Sequence, residues 1–193
     1  MARQTINDDS LAESLFEVFR THGYESASIA QLSEATGLKK SSLYHRFPAG
    51  KEDMVKAVVL HISAQLQAAL IKPLLSNQYS PLERFTNMIV SITRFYFNGN
   101  KNCLLNVLSI GIVNQEIRSL LNNDYNSWRD ALINLARETG LSAKESKVRA
   151  EHFLIIVQGA LVIQRVTENK QTFKQSMEYG QVEFFRLSKP EGR

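Results

Sequence analysis

The sequence has little of what many enzymes and secreted proteins need. It holds a single cysteine, Cys103, so no disulfide can form within the chain and a reducing compartment is indicated. No Cys or His pair has metal-ligand spacing, and neither a glycine-rich phosphate loop nor a nucleophile elbow occurs. We therefore predict no metal, no cofactor and no enzymatic activity. A helical enzyme whose catalytic pair forms only in the folded chain is the alternative.

Long hydrophobic runs are also missing. The longest charge-free apolar stretch near the C-terminus, residues 153–163, includes Gln158 and is too short to span a bilayer. The first residues lead into polar sequence without the apolar centre of a signal peptide. With 44% hydrophobic and 22% charged residues, the composition is that of a soluble globular protein. We expect a cytoplasmic protein with no membrane partner.

Helical periodicity is what the chain does have. Almost every segment repeats its apolar residues at helical spacing, and none alternates as a strand does. Capping boxes at Ser28, Ser80 and Ser142 mark three helix starts. The pattern predicts an all-α fold of about nine helices. We expect a three-helix head in residues 1–50 and a helical-bundle body in residues 51–193.

Residues 28–47, SIAQLSEATGLKKSSLYHRF, are predicted to form a helix-turn-helix. Leu32 and Ala35 would face inward from the first helix, Gly37 allows a tight turn, and Leu43 faces inward from the second helix. The outward positions of the second helix are donors for phosphate oxygens and base edges: Lys39, Lys40, Ser41, Ser42, Tyr44 and His45. The alternative is two amphipathic helices that simply pack together, with both lysines solvated.

Charges in this region separate by sign, although the net charge of the chain is only +4. The basic side chains near the second helix are Lys39, Lys40, Arg46, Lys51 and Lys56. The acidic residues expected to face elsewhere are Asp8, Asp9, Glu13, Glu17 and Glu25. A local basic surface on a nearly neutral domain is adequate for a specific dimeric DNA binder. In the body, Arg84 lies near a helix start and is expected to be solvated.

The segment LSEATGLKKSSLYHRFPAGKEDM resembles the DNA-binding signature of the TetR family of bacterial transcriptional regulators. The resemblance covers about Leu11 to Val59, and its Leu-Tyr-His-x-Phe core is specific. Lys39 stands where the family often has serine, and the link at residues 48–51 is one residue longer than usual. The rest of the chain matches only in length and helical character.

This resemblance implies a homodimeric, ligand-responsive transcriptional regulator, which we interpret as a repressor. The second helix of each head would enter the major groove of a near-palindromic operator in double-stranded DNA, and a small effector would release it. Phosphate contacts are expected from Ser28, Tyr44 and Lys51. The expected base-reading residues are Lys39, Lys40, Ser42 and His45.

The C-terminal helices are candidates for the dimer interface. The helix near residues 143–167 is apolar nearly all round from Phe153 to Val166, which requires burial on two sides. The last helix, near residues 171–187, carries an apolar stripe: Phe173, Met177, Gly180 and Phe184. The resemblance implies that these two helices pair with those of a second copy. The small Gly180 is expected to permit close helix approach. A fully internal helix is the alternative.

A small apolar or amphipathic effector is expected in the body, because the resemblance implies a ligand site there. The residues predicted to bind it are mostly apolar with a few polar anchors: Phe85, Met88, Ile92, Tyr96, Cys103, Asn106, Tyr125, Trp128, His152, Phe153 and Gln158. Ordinary core packing is the alternative for each aromatic residue. For His152 the alternative is a hydrogen-bonded core position.

Cys103 also supports an alternative function. The segment KNCLLNVLSIG resembles a Cys-Leu segment in a TetR subgroup, some of whose members sense electrophiles or oxidants. A helix N-terminus and Lys101 would both favour the thiolate. The alternative is therefore a thiol-based redox or electrophile sensor with the same DNA-binding head. A free cysteine is otherwise a small buried hydrophobe.

Overall fold

The computed structural model describes residues 6–110 and 114–186, and these residues form nine helices and no strand. The helices are α1 Asp8–His22, α2 Ile29–Thr36, α3 Lys40–Arg46, α4 Lys51–Leu74, α5 Pro81–Phe95, α6 Leu104–Ile110, α7 Gln115–Glu138, α8 Ala143–Thr167 and α9 Thr172–Phe185. The predicted all-α class is confirmed. The sequence also predicts a short apolar helix from Cys103 to about Ile112. The end of that helix, and the end of α9 predicted near residue 187, lie outside the described residues.

The chain divides into two compact units. The head unit contains Met1–Gln65 and Asn102–Asn122, and the body unit contains Leu66–Lys101 and Asn123–Arg193. Packing thus assigns most of α4, all of α6 and the start of α7 to the head unit. The predicted boundary after residue 50, between a DNA-binding head and an effector-binding body, is a division by function and stays a prediction.

Local hydrogen bonds fix several helix starts as predicted. Ser28, Ser80 and Ser142 each accept a bond from the backbone N–H three residues later, and the Gln or Glu there accepts one from the serine backbone. These reciprocal bonds satisfy donors that a helix N-terminus otherwise leaves unpaired. The three predicted capping boxes are therefore present.

The head unit is built on a small apolar core that includes Leu32 of α2 and Leu43 of α3, both fully buried. Ala35, predicted to face inward, is exposed, and Thr36 is buried in its place. The inward face of α2 therefore follows i, i+4 spacing, and the Thr36 hydroxyl donates to the backbone oxygen of Leu32 at 2.7 Å. Gly37, with φ of +67°, ends α2 in the predicted left-handed turn.

Helix α4 contains one π-helical turn at Gln67–Ile71, just after its passage from the head unit to the body unit. The most apolar 18 residues of α4 have a mean hydropathy of 1.5, so α4 is long and apolar enough to cross a membrane by length and composition alone. The core helix of a soluble protein passes the same test. The buried residues of α4 include Met54, Val55 and Val58.

The body unit is centred on an aromatic cluster. The ring centroid of Phe85 lies 4.7 Å from that of Phe153 and 4.4 Å from that of Phe184. Gly180 allows α9 to approach α8 closely, because a Cβ at this position would lie 3.0 Å from the Phe153 ring. The stripe of α9 predicted to meet a partner is instead buried within the protomer: Phe173, Met177, Gly180 and Phe184.

The expectation that Arg84 is solvated is wrong. Its side chain is only 2% exposed, pairs with Glu138 at the end of α7, and donates to the backbone oxygen of Leu74 at 2.8 Å. A buried guanidinium needs such partners because its desolvation is costly. Arg84 therefore joins α5 to the parts of α4 and α7 that belong to the body unit.

Candidate DNA-binding site

Helix α3 is seated in the head unit by one side and presents the other to solvent. Leu43 is fully buried, while Phe47, the residue after the helix, is half-buried. Lys39 is the N-cap residue and its side chain makes no capping hydrogen bond. The orientation of α3 is therefore set by apolar packing, which leaves its basic end accessible.

The predicted base-reading side chains lie together on the exposed side of α3: Lys39, Lys40, Ser42 and His45. Tyr44 is 49% exposed beside them. Within the described residues, no intramolecular hydrogen bond or ion pair occupies the side chains of these four residues. The exposed side of this short helix thus carries donors that are available to phosphate oxygens and base edges.

Two of the predicted phosphate contacts have intramolecular roles. The Ser28 hydroxyl donates to Gln31 Oε1 at 2.9 Å within the capping box. Lys51 Nζ donates to the backbone oxygens of Tyr24 at 2.8 Å and Glu25 at 3.0 Å. Lys51 therefore ties the start of α4 to the connection between α1 and α2, and its DNA contact stays a prediction.

One contact of the basic surface was not foreseen. Arg46, the last residue of α3, forms an ion pair with Asp8 in the first turn of α1 and donates to the backbone oxygen of Ile6 at 3.4 Å. The expectation that Asp8 faces away from the basic residues is wrong. No local sequence signal could reveal this pair, because its members are 38 residues apart.

The local environment raises the pKa of two side chains in the head unit, Lys56 and Tyr24. Lys56 Nζ lies 2.6 Å from Glu116 Oε1, and this hydrogen bond raises the lysine pKa above its ordinary value. Burial raises the pKa of Tyr24, with smaller contributions from Glu52 and Glu25. Lys56 is therefore committed to an ion pair between α4 and α7.

The residues predicted to bind an effector fall in both units. Cys103 and Asn106 belong to the head unit, and the others belong to the body unit. Buried body residues in the set are Phe85, Met88, Ile92, Tyr96, Trp128 and Phe153, whereas Tyr125 and Gln158 are half-buried. Phe85 and Phe153 belong to the aromatic cluster, so ordinary core packing accounts for them.

Trp128 is the most informative member of this set. Its indole Nε1 donates to Met88 Sδ at 3.3 Å, although a thioether is only a weak acceptor. Buried tryptophan N–H groups usually find a stronger partner. This pair therefore places a weakly satisfied donor among apolar side chains of the body unit.

His152 and Cys103 differ from each other in exposure. His152 is exposed on α8, so it is not a core histidine. Cys103 is buried, with 7% of its surface exposed. Oxidation and alkylation require an accessible thiolate, so the redox-sensor alternative is not favoured.

Helices α8 and α9 leave an apolar surface exposed, which we call the α8–α9 face. Its large exposed side chains are Val148, Ile155, Val162, Ile163, Val166, Tyr179 and Val182. An open groove of about 440 Å³ lies within it, between the two helices, and is lined partly by Gly159, Ile163 and Tyr179. Helix α8 is thus apolar on two sides, of which one packs in the protomer.

Known proteins share the head sequence. Residues 13–58 match the family described as bacterial regulatory proteins, tetR family. The HTH-type transcriptional regulator YxaF of Bacillus subtilis is 19% identical, and the match covers 84% of this chain and 86% of YxaF. The HTH-type transcriptional regulator UidR of Escherichia coli is 24% identical, and the match covers 56% of this chain and 54% of UidR.

Solved structures share the fold. A TetR transcriptional regulator from Legionella pneumophila superposes with a TM-score of 0.80 at 19% identity, covering 93% of this chain and 97% of its own. A cysteine mutant of the TetR family regulator CifR, complexed with 26-base-pair operator DNA, gives 0.74 at 19% identity, covering 94% and 98%. Residues 13–58 of this chain thus match the tetR family of bacterial regulatory proteins, and its fold is similar to that of solved TetR-family regulators.

Proposed function

We propose that this protein is a cytoplasmic repressor that binds a near-palindromic operator as a homodimer and is released by a small molecule. The observation that carries the proposal is the exposed side of α3. There, Lys39, Lys40, Ser42 and His45 have no intramolecular partner within the described part of the chain, while Leu43 anchors the opposite side. Donors on the exposed side of a helix that is anchored by a buried residue are suited to reading DNA.

Each helix α3 would enter the major groove, with two heads about one helical turn apart. Lys39, Lys40, Ser42 and His45 would contact base edges. Tyr44 would contact a phosphate, and the first-turn backbone N–H groups of α2 would help Ser28 to do the same. Lys51 would contribute through its one remaining N–H, since two are taken by backbone oxygens.

The proposed dimer forms through the α8–α9 face. Monomeric proteins rarely leave so many large apolar side chains exposed in one region. A second copy is the occupant that best fits, because groove and apolar side chains lie on the same two helices and can pair symmetrically. Four helices would then bury the second apolar side of α8.

The proposed effector is a small apolar or amphipathic molecule bound in the body unit near Trp128 and Met88. It would offer the Trp128 N–H a stronger acceptor than the Met88 thioether. Its effect on DNA affinity equals its differential affinity for the two states of the dimer. The chain has a single tryptophan, so native mass spectrometry of the purified protein and Trp128 fluorescence would detect the ligand together.

The DNA-binding proposal is tested with the full chain. A binding site is first selected from a random double-stranded DNA library, and affinities are then measured at several salt concentrations. Lys40→Ala should weaken binding and broaden the sequence preference, because Lys40 is assigned to a base edge. If Lys40 contacts a phosphate instead, the salt slope should fall by about 0.9 for each head.

The matched control is Lys144→Ala, which removes an exposed lysine from α8. This variant should bind operator like the original protein. Wild-type affinity for Lys40→Ala, or an equal loss in both variants, would contradict the assignment of α3 to DNA.

A further inference from the structure

Arg46 differs from the two lysines at the other end of α3. Its guanidinium is paired with Asp8, whereas Lys39 and Lys40 have no intramolecular partner among the described residues. The pair is accessible to solvent, with 37% of the Arg46 side chain and 87% of the Asp8 side chain exposed. The Asp8 carboxylate therefore pairs with the Arg46 guanidinium at the edge of the surface that would face DNA.

A carboxylate and a phosphate compete for the same guanidinium, because both accept its parallel N–H donors. The exposed carboxylate also repels phosphates that approach nearby. Non-specific DNA binding depends almost entirely on such phosphate contacts. An acid that occupies Arg46 therefore lowers the affinity for DNA of any sequence.

We propose that Asp8 competes with DNA phosphate for Arg46 and thereby restrains sequence-independent DNA binding. This inference rests on the proposed function, since it needs α3 to face DNA. It assigns Asp8 a role beyond the start of α1, which is already capped by Asn7. Arg46 then becomes a phosphate contact that forms only when DNA displaces Asp8.

The test is the affinity of full-length Asp8→Asn for random double-stranded DNA across a series of salt concentrations. Exposed ion pairs are weak, so removing the competition should raise affinity by roughly three- to fivefold for each head. The salt slope should steepen by about 0.9 per head, because one more phosphate contact forms. Unchanged or weaker binding of random DNA would overturn the proposal.

Asp9→Asn is the matched control. Asp9 is the next residue in the same first turn, is 90% exposed, and lies 3.3 Å from His61 Nδ1 rather than beside Arg46. Its substitution changes net charge and helix-dipole stabilisation as Asp8→Asn does. An equal gain in affinity for both variants would show a general charge effect and overturn the specific role of Asp8.

A second control tests whether Asp8 acts through Arg46. In an Arg46→Gln background, Asp8→Asn should give little further gain. A full gain without Arg46 would overturn the competition. Lys40→Ala separates this inference from the proposed function: if Lys40→Ala binds DNA normally, the assignment of α3 fails. If Lys40→Ala is weakened and Asp8→Asn is unchanged, only the inference about Asp8 fails.

Discussion

The two compact units treat apolar side chains in different ways. Among the described residues, only Tyr44 and Leu60 are large exposed hydrophobics in the head unit, whereas the body unit has twelve. Seven of those twelve lie on the α8–α9 face. The head unit thus has the surface of an independent domain with a basic helix, while the body unit has a surface that association would bury.

The largest expected effect comes from breaking the α8–α9 face. Ile163→Glu places a charge in an apolar interface, and an uncompensated buried charge costs about 3–5 kcal/mol. The wild type should sediment at about twice the chain mass of 21.9 kDa, and the variant should approach that mass. Operator affinity should also fall when the dimer is lost, because each half-site is then bound separately.

Val90→Glu is the control for this experiment. Val90 lies on α5 and is 52% exposed, the same fraction as Ile163. The control should stay dimeric, because Val90 is equally exposed but lies outside the α8–α9 face. A wild type that is monomeric at micromolar concentration, or a variant that stays dimeric, would contradict the interface.

The next largest effect concerns the interior of the body unit. Gly180→Leu would force a side chain into the Phe153 ring, which lies 3.0 Å from the position of a Cβ. Overpacking of this kind costs typically about 1–3 kcal/mol. The unfolding temperature should therefore fall. The same fall should be measured when Gly180→Leu is added to the monomeric Ile163→Glu variant. If Gly180→Leu leaves the unfolding temperature unchanged in both backgrounds, the close packing is contradicted.

How much the sequence could predict follows the range of the contacts. The turn at Gly37 and the capping box at Ser28 depend on residues close together in the chain, so the helix-turn-helix was predicted correctly. The pairs Asp8–Arg46 and Arg84–Glu138 join residues 38 and 54 positions apart, and no local pattern identifies them. Such pairs depend on how helices pack.

Helix α9 shows a second reason why the sequence could not predict all of the packing. Both sides of this helix carry apolar residues, with Met177 on one and Val182 on the other. Hydrophobic spacing indicates an apolar side but does not say which one the protomer buries. The structure assigns Met177 to the core and leaves Val182 66% exposed, so the predicted partner face was the wrong one.

A smaller effect should appear in the pH dependence of the two units. In the body unit, hydrogen bonds from Ser80 lower the pKa of Glu83 below its ordinary 4.5. A folded pKa below the unfolded value stabilises the fold above about pH 4.5, and this stability is lost as pH falls through the folded pKa. Ser80→Ala should therefore reduce the acid sensitivity of the unfolding temperature.

The head unit should respond at the opposite end of the pH range. The hydrogen bond from Lys56 to Glu116 raises the pKa of Lys56 above its ordinary 10.5. Its contribution is complete below that value and is lost as pH rises through the folded pKa. Glu116→Gln should therefore reduce the alkaline sensitivity of the unfolding temperature. Identical pH profiles for the two variants would contradict these assignments.

The smallest expected effect concerns Cys103, which packing assigns to the head unit. Because only 7% of its surface is exposed, alkylation of the folded protein should be much slower than that of the unfolded chain. Cys103→Ser should bind operator normally, and mild peroxide should not release the original protein. Thiol alkylation kinetics measured beside operator release provide the check. Rapid alkylation together with peroxide-driven release that Cys103→Ser abolishes would restore the redox sensor and make the head unit, rather than the body unit, the site of regulation.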